Sequence, residues 1–158
     1  MSKKFRQWVK RYQDDAWSLA RYLLKDASEA EDATQEAFIK LWNRREELDP
    51  ERIKLWLLKV TRNVCLDRLR HRRLTPELET PEVHGPAADA QRDELVRWLK
   101  SAIANLEEPY RSLVVLRDMQ QHSYEEVAHI TELNLSQVKV YLHRARKRLR
   151  EQLSEISS

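Results

Sequence analysis

Apolar residues along this chain recur at intervals of three and four, the spacing of one face of a helix. Ala30, Ala33, Ala37, Phe38 and Leu41 form one such stripe with Trp42 at its edge, and predict a helix from about Ser28 to Arg45. Asp26 and Ser28 stand at its start, where free amides and the positive end of the dipole favour oxygen acceptors. Phe5 to Lys25 supplies one or two helices before it. After Pro50 a long helix is expected to reach about Arg73. Ile53, Leu57, Val60 and Val64 are its inward stripe, Trp56, Leu58, Cys65 and Leu69 lie close by, and Lys59, Arg62, Asn63, Asp67, Arg70 and Arg73 face away.

Beyond residue 92 the pattern restarts. Leu95, Leu99, Ala102, Ile103 and Leu106 mark a helix ended by Pro109, and Leu113, Val114 and Leu116 a second around Arg111–Met119. Ser123 with Glu126 three residues on is a capping box, opening a short helix with Val127, Ala128 and Ile130 inward. Ser136 is read as the cap of the last helix, whose Val138, Leu142, Ala145 and Leu149 form a clean stripe. A short helix, a tight connection and a longer basic helix make a helix-turn-helix. Between the two halves, Leu74–Gln91 holds three of the five prolines and the only glycine, with no Lys or Arg. Proline lacks a backbone donor and clashes inside a helix, so regular structure should lapse there. The expected architecture is all-α: a helical unit over residues 1–73, an acidic linker over 74–91, and a unit ending in the helix-turn-helix over 92–158.

Composition narrows the chemistry. The longest apolar runs are the four residues Leu55–Leu58 and Leu113–Leu116, against the ~20 a bilayer span requires, so no membrane insertion is expected. The basic N-terminus lacks the apolar block of a signal peptide, and the single cysteine, Cys65, permits no internal disulfide. A reducing, cytosolic compartment is therefore expected. One glycine in 158 residues argues against phosphate-cradling loops and nucleophile elbows, which need several. The five histidines have no metal-ligand spacing on one helix, so neither a metal nor another cofactor is expected.

Charge is unevenly placed. The net value is only +3, but residues 53–73 carry 7 bases against Asp67 and residues 136–153 carry 6 against Glu151. Residues 26–52, by contrast, hold 9 acids and 4 bases. Two basic blocks apart from an acidic one suit a chain that touches a polyanion at two places. The last helix leaves Gln137, Lys139, Val140, Tyr141, His143, Arg144, Lys147 and Arg148 off its buried stripe, side chains able to read major-groove base edges. The Arg62–Arg73 segment can lie along phosphates, since guanidinium pairs with them bidentately. Glu31, Asp32, Gln35 and Glu36 form an acidic face better suited to docking a basic protein than to catalysis, for which no pocket or converging partner is in sight. Residues alone leave three readings open: a polymerase-bound promoter factor, a stand-alone helix-turn-helix regulator, and a helical adaptor for acidic proteins.

Three segments in order, EAEDATQEAFIKLW at 29–42, WLLKVTRNVCLDRLRHRR at 56–73 and residues 106–151, resemble bacterial sigma factors of the extracytoplasmic-function group. The resemblance implies a non-enzymatic subunit that binds core RNA polymerase, directs it to promoter DNA and is held inactive by an anti-sigma factor. By motif position, Asp32, Gln35 and Glu36 would contact the polymerase. Arg62, Asn63, Asp67 and Arg70 would face minus-ten DNA, with the loop over 43–52 helping to hold a flipped base. Lys139, Val140, His143 and Arg144 would read the minus-thirty-five element, with Arg146 as the adjoining basic contact to it. The chain has Glu132 and Asn134 where many relatives have glycine and then proline, and Val140 and Tyr141 where serine and arginine are frequent.

Overall fold

The computed structural model describes residues 2–74 and 92–157. The linker expected over 74–91 lies outside the described residues apart from its first, as does the side chain of Arg73. The described residues form helices and no strand. The first unit packs α1 (Lys3–Leu24), α2 (Ala27–Arg44) and α3 (Ile53–Leu74) around one another. A single helix thus covers the segment for which one or two were expected. Asp26 caps α2, its Oδ1 accepting the Glu29 amide at 3.0 Å, and Pro50 opens a short 3-10 turn that leads into α3.

The second unit comprises α4 (Arg92–Ala104), α5 (Tyr110–Leu113) running on into a π-helical stretch (Val114–Met119), α6 (Tyr124–Thr131) and α7 (Leu135–Ser157). The Ser123–Glu126 box is formed in both directions, at 3.1 and 2.9 Å. Two expectations need correction. Asn134, not Ser136, caps α7: Asn134 Oδ1 accepts the Gln137 amide at 2.8 Å while Gln137 Oε1 accepts the Asn134 amide at 3.0 Å. The helix starts two residues earlier than the serine would require. Leu95 and Leu99, expected inward, are 55% and 41% exposed, because only the last turn of α4, at Ala102, Ile103 and Ala104, is buried.

Val138, Leu142 and Ala145 are buried as the stripe of α7 requires. Glu132 ends α6 at φ 61°, the left-handed conformation glycine adopts most readily,. The position that closes α6 is thus left-handed although its residue is a glutamate.

Helix α3 is apolar on two sides. Ile53 and Leu57 pack with Phe5, Ala37 and Leu41, while Leu58, Val64 and Cys65 join a second cluster. That cluster runs from Leu19, Leu23 and Leu24 of α1 to Ile103, Leu113, Leu116, Ile130 and Leu142 of the second unit. The units thus share one apolar core. Polar contacts close its margin: Lys25 Nζ donates to Asn105 Oδ1 at 2.9 Å, and Gln120 Nε2 to the Asp15 carbonyl at 2.9 Å.

His122 is 5% exposed on this margin, its Nε2 3.4 Å from Asp15 Oδ2. Burial lowers its proton affinity; the Asp15 carboxylate opposes that, Lys54 adds to it, and Glu126 opposes it more weakly. Below the ordinary value of 6.5 the unfolded chain takes up a proton that the packed chain resists, so stability falls with acidification. Thermal melts at about pH 7.5 and about pH 5.5 should show a Tm loss that His122→Gln reduces; equal losses in both proteins would contradict the assignment. Asn134→Ala should cost about 1 kcal/mol in urea unfolding and Ser136→Ala within about 0.5 kcal/mol of nothing; the reverse order would restore Ser136 as the cap.

Candidate functional site

Three surfaces collect the residues expected to act. On α2, Asp32 and Gln35 are exposed on the solvent side because Ala30, Ala33 and Ala37 fix the opposite face in the core. Glu36 is half-buried, its Oε2 3.6 Å from Arg68 Nη2 of α3. Beside them α1 and α2 enclose an apolar groove of about 850 Å³, lined by Val9, Trp17, Phe38, Ile39 and Trp42 with Gln35 on its rim. Ile39 is 60% exposed there. Periodicity alone did not mark this groove, since Ile39 falls outside the α2 stripe.

On α3, Asn63, Asp67 and Arg70 are exposed, and Arg70 pairs with Asp67 one turn away. Asn63 and Asp67 also line a polar pocket of about 450 Å³ together with Lys40, Asn43, Arg44 and Trp56. The last four come from the end of α2 and the start of α3, and no spacing in the sequence joins them. Trp42 and Trp56 are both half-buried. Trp42 meets Phe5 edge-on at 5.0 Å and carries the Arg45 guanidinium 3.5 Å above its ring.

Arg62 corrects the outward-facing expectation for this helix. It is 8% exposed, with Nε donating to Ser112 Oγ at 2.9 Å and Nη2 to Glu108 Oε1 at 3.2 Å. Arg111 Nε donates to the other oxygen of Glu108 at 2.8 Å and its Nη1 to the Ala104 carbonyl at 3.2 Å. A buried charge is tolerable only when paired and hydrogen-bonded, and this carboxylate holds two guanidinium groups at once. Glu108 and Ser112, 46 and 50 residues from Arg62, carried no signal in the sequence.

On α7, Lys139, Val140, His143 and Arg144 are exposed together, and Val140 keeps 47% of its surface open. They share one face because Val138, Leu142 and Ala145 turn the other into the core. Tyr141 is half-buried, meeting Tyr110 edge-on at 5.9 Å with the Arg144 guanidinium 5.6 Å from its ring. Gln137 is committed to the cap. Arg146 is half-buried and grips Asp118 through Nε and Nη2, at 3.0 and 2.6 Å, which raises its proton affinity. Buried Cys65 has its thiol pushed up to about 12, chiefly by desolvation, and is unreactive as a nucleophile,. Among the described residues no cluster of three His, Cys, Asp or Glu stands ready for a metal, and no helix is long and apolar enough to cross a membrane.

A family model described as sigma-70 region 2 matches residues 8–75, and one described as sigma-70, region 4 matches residues 97–149. The RpoE sigma factor of Bartonella quintana, solved in complex with the anti-sigma factor NepR, has the same fold: TM-score 0.84 at 24% identity, over 97% of this chain and 98% of that one. The ECF RNA polymerase sigma factor SigE of Mycolicibacterium smegmatis is 31% identical over 158 residues, 95% of this chain and 62% of that protein. The RNA polymerase sigma-E factor of Streptomyces coelicolor is 34% identical over 154 residues, 95% of this chain and 86% of that protein. With both regions matched in order and a relative of this likeness covered over 86% of its length, the chain belongs to the extracytoplasmic-function group of RNA polymerase sigma factors.

Proposed function

We propose that this chain binds core RNA polymerase, directs it to specific promoters and helps melt the minus-ten element, acting in the cytoplasm as a dissociable subunit with no catalytic step of its own. The observation that carries this is the α7 face, where Lys139, Val140, His143 and Arg144 stand exposed on a capped recognition helix. Residues 1–73 serve polymerase docking and the minus-ten element, residues 92–158 the minus-thirty-five element, and residues 74–91 join them. An anti-sigma factor restrains the chain. This partner is supported by the family and by the likeness to a sigma factor solved with one.

Each surface has a physical task. Asp32 and Gln35, with Glu36 beside them, offer an anionic mooring for a basic polymerase surface, and the neighbouring apolar groove adds area that water leaves on docking. Asn63, Asp67 and Arg70 face minus-ten DNA. The polar pocket they border, with Trp56 at its wall, is of a size and character to take an extruded base,. Unpairing costs a few kcal/mol, which stacking and hydrogen bonding in the pocket offset. Arg62 reaches DNA only when the second unit moves off it. On α7, Lys139 and Arg144 carry donors for guanine or phosphate, His143 a further donor, and Val140 an apolar contact for a thymine methyl. Arg146 serves as the adjoining brace, holding α7 to the π-helical stretch through Asp118.

A run-off assay with core polymerase tests the reading. The full chain should confer promoter-dependent initiation, and Asp32→Arg should abolish both that and capture of the core enzyme, with the helices intact by circular dichroism; initiation without added chain dependence would defeat the proposal. Asp32 is the clean position, because Glu36→Arg would also face Arg68. Replacing Arg144 with alanine should weaken a promoter with the preferred minus-thirty-five sequence by about 1–3 kcal/mol while sparing others; a uniform loss at every promoter would make it a phosphate contact instead.

A further inference from the structure

The outer face of α1 carries charge that none of the surfaces above uses. From Lys3 to Arg11 the helix has five cations, Lys3, Lys4, Arg6, Lys10 and Arg11, and no acid, all five exposed along about 12 Å of axis,. Among the described residues none of the five pairs with a carboxylate. The next acids along the helix are engaged elsewhere: Asp14 lines the apolar groove and Asp15 is turned to His122. Cations at this end of a helix oppose its dipole, so the block does nothing for α1 itself, whose start is secured by Ser2 Oγ accepting the Phe5 amide at 3.4 Å,.

Aromatic rings stand among these charges. Half-buried Trp8 lies one turn from Lys4 on one side and from Arg11 on the other, which puts the three in one row, and the Arg11 guanidinium lies 5.6 Å from the half-buried Tyr12 ring,. Lys4 and Trp8 also line a pocket of about 540 Å³ together with Trp42, Arg45, Glu46 and Pro50, from the end of α2 and the loop beyond it. This pocket shares no residue with the one bordered by Asn63 and Asp67. One face of Trp42 is taken by the Arg45 guanidinium, 3.5 Å above it and held by a bond from Nη1 to the Trp42 carbonyl at 2.7 Å, which leaves Trp8 as the ring a base can stack on. Lys4 and Arg45 outweigh Glu46 on the lining, and Glu46 can itself accept from the exocyclic amine of a base,.

Unpaired cations beside an open aromatic ring suit single-stranded nucleic acid, whose phosphates are neutralised in any sequence and whose bases lie on the ring. An anionic lipid surface would meet the charges too, but it needs large apolar side chains exposed among them. On this stretch Phe5 is buried and Trp8, Val9 and Tyr12 are half-buried.

We propose that α1 from Lys3 to Arg11, with the adjoining pocket, is a further single-stranded nucleic-acid site of the first unit, its cations on successive phosphates and Trp8 under one unstacked base. That the strand belongs to a melted promoter rests on the transcription reading; the site does not.

Binding of the full chain to a labelled single strand of about 12 nucleotides, read by fluorescence anisotropy against salt, tests the site. Lys4→Gln combined with Arg11→Gln should lower the slope of log affinity on log salt by about 1.4, two phosphate contacts at about 0.7 each, with helicity unchanged. Trp8→Ala should weaken binding about tenfold at fixed salt, and Trp8→Phe about twofold or less. Because Trp8 also packs on the core of the first unit, the parent chain supplies a check free of mutation: an iodouracil-substituted strand should photocrosslink at Trp8, located by peptide mapping.

An unchanged slope in the double variant, or crosslinks confined to α3 and α7, would overturn the site. A double variant that loses phosphatidylserine vesicles yet keeps the single strand would make the block a lipid contact instead. Each readout omits polymerase, so a chain that binds as stated yet fails the run-off assay sinks only the transcription reading, and one that drives run-off with the slope unchanged sinks only this site.

Discussion

The guanidinium of Arg62 is the constraint around which the two halves of this chain are arranged. It leaves α3, passes out of solvent, and is held by Ser112 Oγ and a Glu108 carboxylate that also binds Arg111. Such a charge is retained in an interior only if the surrounding structure keeps its partners in place. Here the partners belong to the other unit, so their position depends on the apolar core that runs through Leu58, Cys65, Leu113 and Leu116. Hydrophobic burial brings the units together without direction, and the charge network decides how they meet.

Helix α3 is therefore used twice. One side completes the first unit on Ile53 and Leu57, and the other supplies the seam with the second unit. Helix α7 has a simpler division, with Val138, Leu142 and Ala145 inward and Lys139, Val140, His143 and Arg144 outward. Arg146 lies between the two and ties α7 to Asp118 of the π-helical stretch. The outward face of α7 is open, while α3 gives up Arg62 of its outward residues to the second unit.

The turn of the helix-turn-helix shows how local rules bend. Many relatives place glycine and then proline where this chain has Glu132 and Asn134. Glu132 nevertheless adopts φ 61°, and its carboxylate reaches Lys59 of α3. Asn134 replaces a rigid residue with a side-chain cap, joined to Gln137 in both directions. The turn is thus built from a left-handed glutamate and a side-chain cap, and Gln137 is committed to that cap.

Helix spacing, the Asp26 and Ser123 caps, the α7 stripe and the segregation of charge were all legible in the sequence, because each depends on residues within a turn or two of one another. The apolar positions Leu58, Cys65 and Leu69, beside the inward stripe of α3, were the trace of a second packing face,. What covers that face was not legible. Arg62 is separated from Glu108 by 46 residues, and nothing local distinguishes it from Asn63, Asp67 or Arg70, which stay exposed on the same helix. Nearest-neighbour chemistry sets which residues a helix turns outward; only the meeting of two distant helices determines which of those outward residues keeps its water.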